Sequence, residues 1–414
     1  MPNAADLPNV ATAPWLTAPA TQAVLQALST GGHQARVVGG AVRNTLMGLP
    51  VTDVDIATTA LPEEVMRLAA AAGLASVPTG LAHGTVTVVV GAEAFEVTTL
   101  RTDVESHGRH ATVAFTADWA ADAARRDFTI NALYCAADGT VLDPLGGYPD
   151  LAARRVRFIG DAGQRIAEDY LRILRFFRFT AQYSDQPAEP DGLAACVRGR
   201  AGLARLSGER IRQEMLRLLA APGALDAIEV MREHGILADV LPFAPRPTLL
   251  ARQIEIERGL AVSPDPALRL ASLAVETIED AHRLAERLRL SSDERDRLLL
   301  APRREAHATA PPAAPAARAL LYRNGPETYR GLLALAWARA VTAATDDPVW
   351  RAAVTLPARW TAPVLPVKGA DVIAHGTPAG PKVGAILRAL EAWWVAQDFR
   401  PDRTALLARL TASV

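Results

Sequence analysis

An α+β fold is predicted for this chain of 414 residues: a small head of mixed sheet and helices, then a long all-helical part. Two patterns predict it. From about residue 30 to 150, short β-rich runs at 36–38, 54–56, 85–90 and 95–100 alternate with Ala-rich helical stretches. Beyond 150 the apolar spacing is helical almost throughout, and strands followed by a run of helices mark an α+β chain. No repeat period is evident. Taken in order, residues 1–16 read as an untethered N-terminus and 21–28 as a helix. The run 36–38 reads as a strand that stops at Gly39 and Gly40, and 41–47 as the start of a helix. The segment 101–124 is polar, contains His107, Gly108 and His110, and reads as a mobile loop. Further on, 182–192 reads as a polar loop and 301–317 as an Ala- and Pro-rich linker.

Apolar residues make up 50% of the chain, enough for two to four compact units. No apolar run approaches the roughly 18 to 20 residues that a membrane-spanning helix needs, so no membrane partner is expected. The first residues lack the basic start and apolar run of a signal peptide, which predicts a cytoplasmic location. Two cysteines, Cys135 and Cys196, are too few for a disulfide framework or a cysteine zinc site and are expected in the core. The formal net charge of −1 gives no sign of a polyanionic partner. Its distribution is more telling: residues 151–217 hold 13 Arg against 8 acidic residues, an excess that could face nucleic acid. Lys occurs only at Lys368 and Lys382, and a compositional bias towards Arg explains that as well as phosphate recognition does.

The chemistry is signalled by Asp53 and Asp55, about a dozen residues after the Gly39–Gly40 pair. In a strand, side chains at i and i+2 leave one face, so the two carboxylates can hold divalent cations together. At a strand-to-helix junction without Cβ atoms, backbone N–H groups can approach a triphosphate, and Arg43 one turn later adds a cation. Either feature alone more often marks a turn or an exposed strand end; order and spacing together point to metal-assisted nucleotidyl transfer. Glu96 lies out of phase with its apolar neighbours on 95–100. It completes a carboxylate triad if that strand lies beside the one bearing Asp53 and Asp55, and is an ordinary solvent-facing Glu otherwise. The H-x-x-H of 107–110 lacks further ligands and reads as exposed.

Three further segments, Arg125-Arg126-Asp127-Phe128-Thr129-Ile130-Asn131-Ala132-Leu133, Asp143-Pro144-Leu145-Gly146-Gly147 and Glu168 to Phe179, complete a series with the motifs above. From about residue 20 to 220 the chain closely resembles class II tRNA nucleotidyltransferases, the CCA-adding enzymes, with bacterial poly(A) polymerases as their nearest relatives. The resemblance implies a nucleotidyltransferase palm (17–150), a helical neck that reads the base (151–220), a helical body (221–330) and a helical, tRNA-binding tail (331–414). It implies Asp53 and Asp55 as ligands of two Mg²⁺ ions, with Glu96 as the third carboxylate. Gly39, Gly40 and Arg43 would meet the triphosphate, Arg126 phosphate, and Asp127 the ribose hydroxyl, with Asn131 in the same motif. Asp169 and Arg172 would read the base, with Arg175 and Arg178 on the same helix. One departure is visible: Asn44 stands where the family has Asp, which puts a helix-start contact in question.

The base-reading role has a physical basis. C and A present an amino group beside an unprotonated ring nitrogen, so an acceptor (Asp169) and a donor (Arg172) at i and i+3 of one helical face match them and mismatch U and G. The bland alternative is an ion pair of Glu168 with Arg172, worth only about 0.3–0.5 kcal/mol; in this company Glu168 is expected to orient Arg172. Phe176, Phe177 and Phe179 surround the arginine stripe, which is expected to border a cleft. The implied partners are CTP, ATP and tRNA. The expected reaction is CCA addition with pyrophosphate release. Poly(A) polymerase, a partial CC- or A-adding enzyme, and an RNA-binding scaffold with an inactive palm are the alternatives. Residues 77–84 lack the basic signature expected of the poly(A) branch, and intact Asp53 and Asp55 oppose the scaffold.

Overall fold

The computed structural model describes residues 7–107 and 110–413. The chain divides into two compact units, one ending at Val240 and one beginning at Leu241.

In the first unit a seven-stranded sheet is built from β1 (Ala35–Val38), β2 (Asp55–Thr58), β3 (Ala75–Gly80), β4 (Thr85–Val90), β5 (Glu93–Thr99) and the short β8 (Tyr134–Cys135) and β9 (Val141–Leu142), in the order β3-β4-β5-β2-β1-β8-β9. Only β2 and β5 run parallel; the other neighbours are antiparallel, which makes the sheet mixed as expected. Alternation sets the faces. On β5, Phe95 and Val97 are buried while Glu96 is exposed. Helices α1 (Pro14–Thr17), α2 (Pro19–Thr30), α3 (Gly40–Leu46) and α4 (Pro62–Ala71) accompany the sheet. One core cluster gathers Val38, Ala57, Leu100, Ala132 and Tyr134.

Two expectations are corrected here. Residues 7–16 are tethered rather than free: Val10, Ala13 and Leu16 are buried, and the Val10 N–H donates to the Gly139 carbonyl at 2.9 Å. Residues 1–6 lie outside the described residues. Within 101–124 the chain forms a hairpin of β6 (Arg101–His107) and β7 (His110–Phe115) and then helix α5 (Trp119–Ala124), rather than an irregular loop. Asp118 caps α5 by accepting from the Ala120 and Ala121 N–H groups, and the base of the hairpin is tied down by the Thr116 N–H on the Leu100 carbonyl. Phe115 lies over Gly84, whose φ of +77° and lack of a Cβ are both needed: a Cβ there would stand 2.7 Å from the Phe115 ring.

Helices α6 (Tyr148–Ala152), α7 (Ala162–Glu168), α8 (Leu171–Tyr183), α9 (Pro190–Gly199) and α10 (Gly208–Ala220) follow. α8 has an apolar stripe of Ile173, Leu174, Phe176 and Phe177 that is buried, while Arg172, Arg175 and Arg178 recur every third residue on the other side. Phe128 of the sheet domain packs against Phe158, Phe176 and Phe179 with ring centroids 4.9–6.3 Å apart. This aromatic cluster fixes α8 against the motif that carries Asp127. Cys135 and Cys196 are buried, free thiols, and burial pushes both up from the usual thiol range, Cys135 to about 12.

The second unit is helical throughout its described residues. One of its cores stacks Trp337 on Trp350 at 6.3 Å, and another gathers Val372, Leu390, Trp394 and Leu406. The expected linker at 301–317 is packed in part, with Ala301 and Ala306 fully buried and a helix starting at Ala314 that breaks at Gly325. Among the described residues no helix is long and apolar enough to cross a membrane.

Candidate active site

β1 ends because Gly39 adopts φ +71°, ψ −113°, a conformation open to glycine alone, and its N–H donates to the Leu133 carbonyl. Helix α3 begins at the next residue, so the two glycines form the strand-to-helix junction read from the sequence. Antiparallel pairing sets Val38 opposite Asp55, which brings the first carboxylate beside this junction. Parallel pairing of Ile56 with Val97 places Glu96 beside Asp55 from the other side. The condition set for Glu96 is met: the two strands are neighbours.

Asp55 is surface-exposed, yet neighbouring protein crowds its carboxyl. Burial, then the charges of Glu96 and Asp53, push it up from the usual carboxylate range, against the opposing pull of Arg126. Asp53 precedes β2 rather than lying in it, and accepts from the Thr52 hydroxyl at 2.9 Å. Among the described residues no three His, Cys, Asp or Glu side chains close into a cage for a metal ion. An open pair of carboxylates with a third acid alongside nonetheless suits Mg²⁺. That ion takes hard oxygen donors, binds through one or two carboxylates, and keeps water and substrate phosphates for the rest. The concentration of negative charge that raises Asp55 is what a divalent cation would relieve.

A cavity of about 430 Å³ opens from this edge. Gly39, Gly40, Arg43, Asp55, Arg126, Asp127, Asn131, Asp169, Arg172 and Arg175 all line it. Asp53, Glu96 and Arg178 do not line it. Arg178 instead pairs with Glu214 of α10 and lies over the Phe179 ring at 4.2 Å.

Arg43 is buried with neutral acceptors only. Its Nε and Nη2 donate to Asn44 Oδ1 at 3.1 and 2.9 Å, Nη1 to Asn131 Oδ1 at 2.5 Å, and Nη2 also to the Tyr183 hydroxyl at 2.7 Å. Among the described residues no carboxylate pairs with it. Burial, with Arg178 and Arg175 adding to it, moves its pKa down despite the opposing pull of Tyr183 and Asp127. Asn44 keeps its oxygen on Arg43 and spends its amide N–H₂ on the Pro50 carbonyl at 2.8 Å, a bond no Asp could donate.

Asp127 is fully engaged. Oδ1 accepts from the Phe128 N–H at 2.8 Å and Asn131 Nδ2 at 2.9 Å, and Oδ2 takes Arg175 Nε at 2.7 Å and Nη2 at 2.5 Å. Burial alone would raise this carboxyl. The Arg175 charge and these hydrogen bonds outweigh it and hold the group at about 2. Arg126 is fixed from behind by buried Asp122 at 3.0 Å, which also accepts from the Tyr134 hydroxyl at 2.8 Å.

The base-reading pair departs from the expected geometry. Asp169 is not on a helix: it sits in the break between α7 and α8 with extended φ −155°, ψ 107°, and its carboxylate accepts the Leu171 N–H at 3.1 Å. Both Asp169 and Arg172 still line the cavity. Arg172 is held by Glu168 and by the Arg165 carbonyl at 2.7 Å, an ion pair common to both readings of Glu168. Asp169 is gripped by Arg210 through both oxygens, at 3.0 and 2.7 Å. Phe179, expected beside a cleft, also lines the cavity, as does Arg210, which was not read from the sequence. Arg210 lies 41 residues from Asp169, beyond any local pattern, though its place in the Arg-rich stretch 151–217 was a signal.

Comparison with known proteins follows this geometry. Residues 35–157 match the family model described as "Poly A polymerase head domain", and residues 189–246 match "Probable RNA and SrmB- binding site of polymerase A". The chain is 36% identical over 388 residues to a protein of Danio rerio named CCA tRNA nucleotidyltransferase 1, mitochondrial, covering 92% of this chain and 88% of that one. It is 41% identical over 217 residues to the CCA-adding enzyme of Geobacillus stearothermophilus, about half of each chain. Among solved structures, the Bacillus stearothermophilus CCA-adding enzyme in complex with CTP is 30% identical, with a TM-score of 0.70 over 95% of this chain and 96% of that one. The Thermotoga maritima enzyme complexed with tRNA, at 19% identity and a TM-score of 0.64, shares the fold.

Proposed function

The chain belongs to the CCA-adding enzyme family of tRNA nucleotidyltransferases, and on that premise we propose that its cavity binds CTP and ATP in turn and transfers C, C and A to the 3′ end of tRNA, releasing pyrophosphate. The observation that carries this reading is one cavity uniting the Gly39–Gly40 junction, Asp55 and the Asp169–Arg172 pair.

The backbone of Gly39 and Gly40 and the guanidinium of Arg43 receive the triphosphate, an anion for a buried cation that has only neutral partners. Arg126, held by Asp122, contacts phosphate. Asp127 accepts a ribose hydroxyl as Asn131 or Arg175 turns away from it, since its four acceptor positions are otherwise taken. Asp169, with its plane set by Arg210, accepts the amino group of C or A, and Arg172 donates to the ring nitrogen beside it. U and G would leave these half-buried groups mismatched, the kind of penalty that discriminates by ~10⁴ or more once the bound base covers them. Asp53 and Asp55, with Glu96 alongside, would hold Mg²⁺. Mg²⁺ held there would supply Lewis-acid activation of the tRNA 3′ hydroxyl and charge neutralisation for the departing pyrophosphate. We assign the palm to 17–150, the neck to 151–220, the body to 221–330 and the tRNA-binding tail to 331–414.

Incubating the full chain with tRNA that ends at the discriminator base, CTP, ATP and Mg²⁺, and sequencing the products, tests this. CCA ends are expected. Asp55→Ala should lower incorporation by about 10²–10³-fold or more, the loss of several kcal/mol of charge stabilisation. Long A tails, products stopped at CC, or turnover of that variant within about tenfold of the parent would overturn the assignment.

A further inference from the structure

We infer that the head carries a second binding site, for a small organic oxyanion, in the cavity lined by Arg36 and Trp119. The cavity measures about 450 Å³, within the range of about 300–1,000 Å³ usual for small-molecule pockets. Arg36 lies with its guanidinium carbon 4.0 Å from the Trp119 ring centroid. Gln34 Oε1 fixes both, accepting from Arg36 Nη2 at 3.1 Å and from Trp119 Nε1 at 2.9 Å.

Arg36 is half-buried, and among the described residues no carboxylate pairs with it. Asp143, the one acid on the described wall, has both oxygens committed to the backbone: Oδ1 accepts from the Gly147 N–H at 2.7 Å and Oδ2 from the Tyr148 N–H at 2.8 Å. The cation is partly desolvated, which moves its pKa down, with Tyr134 opposing. Such a group gains more from an anionic partner than one in open water. One of its five N–H donors serves Gln34; the rest of the fork suits a carboxylate or phosphate head.

Leu7, Val141, Leu142 and Pro144 supply apolar wall, so the ligand has an apolar body behind its anionic head. The site stands apart from the nucleotide cavity and shares no lining residue with it. Arg36 lies on β1, three residues before the Gly39 that ends the strand, roughly 10 Å away at the rise of an extended chain.

The test uses the full chain labelled with 5-fluorotryptophan, the Trp119 resonance being identified by its loss in Trp119→Phe. Phenyl phosphate and 3-phenylpropionate are titrated separately, so that phosphate and carboxylate heads are distinguished, with inorganic phosphate as the reference. A saturable shift of the Trp119 signal at millimolar probe or below is expected, with at least one phenyl probe bound about tenfold more tightly than inorganic phosphate. Arg36→Gln should weaken binding by about tenfold or more. So should Ala120→Phe, which narrows the cavity from an exposed position and leaves Arg36 in place. The proposal is overturned by the absence of a saturable shift, by its survival in both variants, by equal affinity for inorganic phosphate, or by displacement of the probe by CTP.

Discussion

Asp169 and Arg210 share two hydrogen bonds across 41 residues of sequence, so removing the acid takes the carboxylate partner from Arg210 and leaves that cation on the cavity wall together with Arg172. Asp169→Ala is therefore expected to favour bases that present a carbonyl. Incorporation of U or G relative to C and A should rise by about a hundredfold or more in single-turnover assays with each nucleotide. Unchanged selectivity with only a lower melting temperature would make Asp169 a structural ion-pair partner and no more. Asp127 gives a pH dependence. Its folded pKa of about 2 lies below its ordinary 3.8, so its contribution is fully present above pH 4 and is lost as pH falls towards 2. That contribution is about 2 kcal/mol. In denaturant titrations, the pH-dependent part of the stability gap between the parent and Asp127→Asn should close across this window; a gap constant from pH 5 to pH 2 contradicts the Arg175 pairing as its source. At this scale Gly39, Asp55, Asp127 and Arg172 were legible because each belongs to a short, ordered motif. Arg210, Tyr183 and Asp122 were not, because their roles arise from contacts made across the fold.

The strands of the head were legible from alternating apolar residues, and β4 falls where the pattern placed it, at Thr85–Val90. The β6–β7 hairpin was not, since β6 has a single apolar residue, Val104, and the alternation of Ala111, Val113 and Phe115 in β7 is short and has no apolar run before it to pair with. Asp169 was misplaced onto a helix because the helical spacing runs on past the break after Glu168, which periodicity does not register. The hairpin also carries a functional expectation: one cavity must serve C twice and A once, and an element that packs mainly on itself can shift as the primer end advances. Deleting residues 107–110 should spare C addition and selectively impair the terminal A, by about tenfold or more in rate. Equal loss at all three positions, read from sequenced products, would remove the switching role.

Across the whole molecule, two compact units with separate cores predict unfolding in more than one step. Calorimetry should give a total enthalpy larger than the van't Hoff value. CTP at about a hundred times its Kd should stabilise the unit holding the nucleotide cavity by about 2.7 kcal/mol while leaving the other transition in place. A single two-state transition moved as one by CTP would mean that the units fold as one. Within that first unit, the three residues that grip Arg43 have a consequence in time as well as in energy. An exposed arginine has about 2 kcal/mol of rotamer entropy to lose when a ligand immobilises it. For Arg43 that loss is incurred when the chain folds, so on the proposed assignment an arriving triphosphate would meet a cation that is already still. Each of the three additions to one tRNA begins from the same arrested side chain, and the cost of its order falls once on folding rather than on every turnover.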